Sequence, residues 1–144
     1  GRVLVERVEG YCDATAWQRA YDEINGFEKT LIDNGTRIIK FFLHVNVDEQ
    51  AQRFKDRLLV PHKRWKITPD DFRNREKRGQ YVAAIEEMLA KTHKRGAPWV
   101  IIPAQQKRFA RISILRAVLR WMDRFGLQLE QPLDPQMQAY LDRL

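Results

Sequence analysis

The chain has 144 residues, of which 44% are apolar and 31% charged, and carries a formal charge of +7 with an isoelectric point near 9.8. That length suits one domain with a moderate core, and no apolar run approaches the roughly 20 residues that cross a bilayer, so no membrane partner is expected. The positive balance favours anionic partners: nucleic acid, anionic lipid, nucleotide or polyphosphate.

The chain opens on Gly1-Arg2-Val3-Leu4-Val5, without methionine or a flexible lead-in. Such a start is expected of a cut inside a domain, and the chain is read as the C-terminal part of something longer. Residues 3 to 9, stopped by Gly10, favour a helix end. Asp13 then caps an amphipathic helix to about Asn34. Trp17, Tyr21, Ile24, Phe27, Leu31 and Ile32 recur at helical spacing and form its expected core face. The single Cys12 excludes an internal disulfide and fits a reducing, cytoplasmic setting.

Thr36 to Val45 reads TRIIKFFLHV, the pattern of a strand covered on both faces in a parallel sheet. His44 near its C-terminal end is either a site-rim residue or, preferably, a hydrogen-bonded structural histidine. His62 and His93 lie far off without ligand spacing, so no metal site built from protein ligands alone is expected. Asn46 or Asp48 caps the next helix, through Leu59, with Val47, Ala51, Phe54 and Leu58 inward.

The stretch from Arg53 to Tyr81 holds ten Lys and Arg against Asp56, Asp70, Asp71 and Glu76. Arg53, Lys55 and Arg57 end one helix, Lys63, Arg64 and Lys66 surround Trp65 in a loop, and Arg73, Arg75, Lys77 and Arg78 open the next helix. Two basic helix ends joined by a basic loop make a flap able to close over a polyanion. Trp65 is expected to anchor that flap in the core. Thr68-Pro69-Asp70-Asp71 starts the return helix, which runs to about Lys94 with Tyr81, Ala84, Ile85, Met88 and Leu89 inward.

Pro98 to Pro103 reads as a second buried strand. Lys107 to Phe125 forms the last long helix, with Phe109, Ile112, Leu115, Val118, Leu119 and Met122 along one inward side. Lys107, Arg108 and Arg111 crowd its first turn against the helix dipole, and a bound anion would offset them. Gly126 stops it, and 127–144 is expected to be a linker with a short helix. The order is that of an α/β domain. Two strands are few for an open sheet, so further strands are expected ahead of residue 1. Neither GxxxxGK[ST] nor Gly-x-Gly occurs.

Taken together, GRVLVERVEGY, WxxAYxEINxFExxL, KFFLHVxxxEQxxRFxxR, PxKxWKITxxDxRxR and APWxxIPAxxKRFAR resemble the C-terminal half of the family-2 polyphosphate kinases, across about residues 1 to 120. The polyphosphate:AMP phosphotransferase branch is most similar. One departure is Arg78, where the family has Trp. The resemblance implies a P-loop kinase-like, thymidylate kinase-like fold: a three-layer parallel sheet domain whose N-terminal strands and phosphate loop would precede Gly1. Residues 1–126 would be the C-terminal half of that domain, with a lid over about 53–81. The implied reaction moves a phosphoryl group between inorganic polyphosphate and AMP or ADP, the choice staying open, with ATP among the nucleotides. Mg²⁺ would be held by substrate phosphates and upstream residues. Arg2, Arg57 and Arg73 would be catalytic, and Arg53, Lys63, Lys66 and Arg75 would bind polyphosphate. Lys107 and Arg108 would face the nucleotide or its phosphates. A homo-oligomer and no specific nucleic acid are expected; the alternative is a non-catalytic basic module that binds polyphosphate or nucleic acid.

Overall fold

A computed structural model of the chain describes residues 1–126 and 133–143. A π-helical turn (Arg2–Glu6) and α1 (Arg7–Glu9) end at Gly10, which turns left-handed at φ 74. Asp13 accepts a hydrogen bond from the Ala16 N–H (2.7 Å) and so starts α2 (Ala14–Asp33). Gly35, at φ 87, takes the chain out of that helix. Nothing would touch a Cβ added there, so Gly35→Ala isolates backbone strain. It is expected to lower the unfolding free energy by about 1 kcal/mol. Urea titration measures this, and no loss at all would show that the backbone simply relaxes.

The strand β1 (Lys40–His44) pairs parallel with β2 (Trp99–Pro103), Phe41 opposite Val100 and Leu43 opposite Ile102. The expected strand from Thr36 is thus shortened at its start. Its would-be partner turns away there, because Lys94 and Ala97 bridge one another antiparallel just before β2. Nor is the sheet covered on both faces among the described residues, since Leu43 and Ile101 are more than half exposed.

Asn46, not Asp48, caps α3 (Val47–Leu59), its Oδ1 accepting from the Glu49 N–H at 2.8 Å. Phe54 is buried there, whereas Val47 and Leu58 face solvent. A 3₁₀ segment (Pro61–Lys66) leads to α4 (Pro69–Glu76), whose Asp71 carboxylate reaches back to the Thr68 N–H at 2.9 Å. The return helix is not continuous: Lys77 breaks it at φ −87, ψ 14 before α5 (Arg78–Thr92). Then come α6 (Lys107–Arg124) and the short α7 (Pro135–Leu141). The linker expected after Gly126 lies, over 127–132, outside the described residues.

Two apolar clusters hold these elements. Val3, Ala20, Tyr21 and Met88 join the opening turn, α2 and α5, with Trp17, Ile24 and Trp99 against them. Ile102, Ala104 and Ala110 join β2 to α6, with Phe41, Val45 and Ile114. Successive strand residues point to opposite faces, so Trp99 serves the first cluster and Val100 and Ile102 the second. On α6 the inward face is Ala110, Ala117 and Trp121, while Phe109, Ile112, Leu115 and Leu119 point outward. This reverses the face expected from sequence. Phe27 of α2 is likewise exposed.

Candidate functional site

In the basic stretch the guanidinium groups bond to the chain's own carbonyls and acids, as Lys77 does to Glu9, whereas Lys63 and Lys66 find no carboxylate among the described residues. Arg53 pairs with Glu49 (2.8 Å) and donates to the carbonyls of Ala104 (2.6 Å) and Gln105 (3.0 Å). It thereby ties α3 to the loop that delivers Lys107 and Arg108. Arg57 donates to the Lys66 carbonyl (3.3 Å), and Arg64 to that of Leu58 (2.9 Å), so both close the end of α3 onto the 3₁₀ segment. Arg75 donates to Gln50 Oε1 (2.9 Å) and the Val47 carbonyl (3.1 Å). Arg78, which sequence reading left without a role, shares Gln50 Oε1 (3.2 Å) and reaches the Val45 carbonyl (3.1 Å). Planar, multi-donor side chains suit such carbonyl bridging. The arginines form the frame of the flap, and α3 is its hub.

Lys63 and Lys66 are different. Among the described residues, no carboxylate lies within 4.0 Å of Lys63, Lys66, Lys107 or Arg108, while nine other Lys and Arg side chains are ion-paired. Lys66 sits over the Trp65 ring at 4.9 Å. That tryptophan is 77% exposed, so it is no core anchor: the short 3₁₀ turn carries its ring away from the body. At the start of α6, no side chain caps the helix and no acid occupies the first turn. Lys107 and Arg108 there stand exposed on a helix N-terminus whose donors are open.

Two more of the nine cations singled out by sequence are, like Arg53, ion-paired. Arg2 pairs with Glu23 at 2.9 Å on the face of α2. Arg73 is held by Asp70 (3.1 Å) and by Glu9 (3.2 Å). Asp70, ahead of Glu9, raises the Arg73 guanidinium further above its ordinary range. Glu9 was not foreseen. Its carboxylate accepts from Lys77 Nζ (2.7 Å) and Tyr81 Oη (3.2 Å) as well. The Lys77 hydrogen bond is the main cause that holds it below the ordinary carboxylate value, against burial. Burial and the Glu9 bond push the Tyr81 hydroxyl up. No local pattern announces this cluster, because Glu9 and Lys77 are 68 residues apart.

Arg7 proves to be a structural partner, bonded to Glu87 (2.6 Å) and Tyr21 (3.1 Å) and stacked on Trp17 at 4.0 Å. His44 is exposed at the end of β1 and makes no side-chain hydrogen bond among the described residues, so it is not the bonded histidine expected. It borders a cavity of about 480 Å³ between the strand ends and α5, lined mainly by apolar side chains such as Phe42, Ile85 and Leu89, with Arg78 at its edge. Among the described residues, no group of three or more His, Cys, Asp or Glu comes together, and no helix is long and apolar enough to cross a membrane.

Comparison with known proteins covers nearly all of this frame. The family model described as Polyphosphate kinase 2 (PPK2) matches residues 1–128. The polyphosphate:AMP phosphotransferase of Acinetobacter johnsonii is 54% identical over 120 residues, which are 83% of this chain and 25% of that protein. The AMP/ADP-polyphosphate phosphotransferase of Meiothermus ruber is 37% identical over 130 residues, 90% of this chain and 49% of that protein. The crystal structure of polyphosphate kinase 2 from Arthrobacter aurescens TC1 superposes with a TM-score of 0.86 at 35% identity, over 99% of this chain and 51% of its own. The chain thus spans a quarter to a half of the length of these relatives.

Proposed function

The chain belongs to the polyphosphate kinase 2 family, and from that premise we propose that it carries the cationic flap of a phosphotransferase acting between inorganic polyphosphate and a nucleoside mono- or diphosphate. The observation that carries this reading is the division among its cations. Arg53, Arg57, Arg73 and Arg75 are spent on the chain's own carbonyls and acids, whereas Lys66, Lys107 and Arg108 stand exposed and Lys63 half-buried, with no carboxylate within 4.0 Å among the described residues. A solvated surface of equal charge would intersperse acids as partners.

Phosphoryl transfer asks little covalent work of the protein; holding the reactants in line and neutralising the phosphate oxygens dominate. Lys63 and Lys66 would meet the polyphosphate chain as point charges. Arg53 and Arg57 would hold the hinge end of the flap and Arg75 its return helix. Lys107 and Arg108 would face the phosphates of the nucleotide. Arg2 and Arg73 would approach the transferred group after exchanging their present acids for phosphate. Flap closure would also keep water from the phosphoryl donor. The fold that suits these roles is the P-loop kinase-like one. The acids near the flap, Glu9, Asp70 and Asp71, are committed to the chain's own cations and N–H groups. Mg²⁺ would arrive with the substrate phosphates and be held by them and by residues upstream of this chain. A cytoplasmic, homo-oligomeric enzyme fits the reading.

Titration with long-chain polyphosphate and with duplex DNA at two salt concentrations tests it. Polyphosphate is expected to bind the more tightly at both, with affinity falling as salt rises. Preference for DNA would overturn the reading in favour of a nucleic-acid module. The 144 residues lack a GxxxxGK loop, so alone they are expected to form no ATP from ADP and polyphosphate; turnover by the purified chain would refute that.

A further inference from the structure

We infer that Glu9 is a built-in stand-in for phosphate: its carboxylate occupies an anion seat made by Arg73, Lys77 and Tyr81, and a phosphate chain takes over those donors by displacing it. The inference rests on the reading of this flap as a polyphosphate-handling one and adds a residue and a competition to it.

The geometry is that of an occupied oxyanion seat. Glu9 Oε2 receives both cations, Lys77 Nζ at 2.7 Å and Arg73 Nε at 3.2 Å. Glu9 Oε1 receives the Tyr81 hydroxyl at 3.2 Å. A phosphate oxygen pair would use the same donors, an ammonium, a guanidinium and a phenol. The acid comes from a different element than its partners: Glu9 ends α1, and Gly10 at φ 74 turns the chain away immediately behind it. The donors sit on α4, at the helix break and on α5. The carboxylate side chain is 3% exposed, yet that of Arg73 is 43% exposed. A ligand can therefore reach Arg73 from solvent while the acid sits behind it.

The seat lies at the break between the two helices. Lys77 leaves helical geometry at the point where its ammonium meets Glu9. The other groups facing this seat are Asp70, on Arg73 at 3.1 Å, Asn74, whose Oδ1 lies 3.0 Å from the Tyr81 hydroxyl, and Tyr11, close enough to act on Arg73 and Tyr81. In the phosphate-free chain, Glu9 and Asp70 balance Arg73 and Lys77. The seat thus contributes no net attraction until Glu9 leaves it.

The test is polyphosphate binding by the 144-residue chain and its Glu9→Gln and Glu9→Asp variants, at three salt concentrations. Glu9→Gln removes one negative charge from the seat, so affinity is expected to rise about tenfold at low salt and the slope of log K against log salt to steepen by about one. Glu9→Asp restores the wild-type slope. A carboxylate that merely braces the fold predicts a lower melting temperature with affinity and slope unchanged, and that result overturns the inference while leaving the proposed function standing. Absence of binding by both wild type and variant removes both. A measurement on the wild type needs no variant to fold. The ¹³C resonance of the Glu9 carboxyl is titrated with acid, with and without saturating polyphosphate. Its depressed pKa is expected to move upward when polyphosphate takes its donors; a pKa that stays in place overturns the inference.

Discussion

Lys40→Ala is expected to lower the unfolding free energy by about 3 kcal/mol. Lys40 points from β1 into the first apolar cluster, and its ammonium meets both Glu28 oxygens, at 2.8 and 2.7 Å, and the Thr92 carbonyl at 2.6 Å. It also lies 5.1 Å from the centre of the Trp99 ring. Both members of the pair are only 13% exposed. Truncation leaves Glu28 charged and unpartnered where water barely reaches, and leaves a carbonyl of α5 without its donor. Because Lys40 links β1, α2 and α5, the loss is felt across three elements. The midpoint of thermal unfolding should fall by roughly 10 °C. The double replacement Lys40→Met with Glu28→Leu should recover most of it, since two apolar side chains need no partner. A single-variant loss under about 1 kcal/mol would mean that the pair behaves as a surface ion pair.

The order of elements was legible because its signals are local. Asp13 and Asn46 cap helices through side-chain oxygens that accept from the N–H of the third residue on, and Gly10, Gly35 and Gly126 stop helices at positive φ. The run KFFLH and the run WVIIP could each be placed as strands, and a parallel pair follows for strands separated by helices. What failed was the assignment of faces. On α6 the large apolar residues fix the apparent hydrophobic direction, yet it is the small Ala110 that packs with Ala104 and Ile102, and Ala117 is buried while Phe109, Ile112, Leu115 and Leu119 are not. Trp65 failed for a related reason: a ring of that size usually finds cover, but a six-residue 3₁₀ segment tethered by Arg57 and Arg64 holds it out. At the candidate site, sequence gave the density of cations but not their partners. Arg53 finds its carbonyls 51 and 52 residues away, and Lys77 its acid 68 residues away. Which cations stay free is a property of tertiary contacts alone.

That distinction yields the second large effect. In a full-length family member carrying this segment, Lys66→Ala is expected to lower kcat/KM for polyphosphate about thirtyfold, which corresponds to one lost charge-assisted contact of about 2 kcal/mol. Stability should hardly change. Lys66 is exposed, makes no ion pair among the described residues, and touches only the ring of an exposed Trp65; surface substitutions of that kind stay within about 0.5 kcal/mol. Arg57→Ala makes the informative contrast. Its guanidinium donates to the Lys66 carbonyl and packs near Phe54, so its removal should loosen the 3₁₀ segment and reduce both turnover and melting temperature. Lys66→Arg keeps the charge and should restore part of the activity, less than all of it because a forked donor does not replace a point charge. If Lys66→Ala leaves kcat/KM intact while Arg57→Ala does not, the flap acts through its shape, and the exposed lysines are not its contact with phosphate.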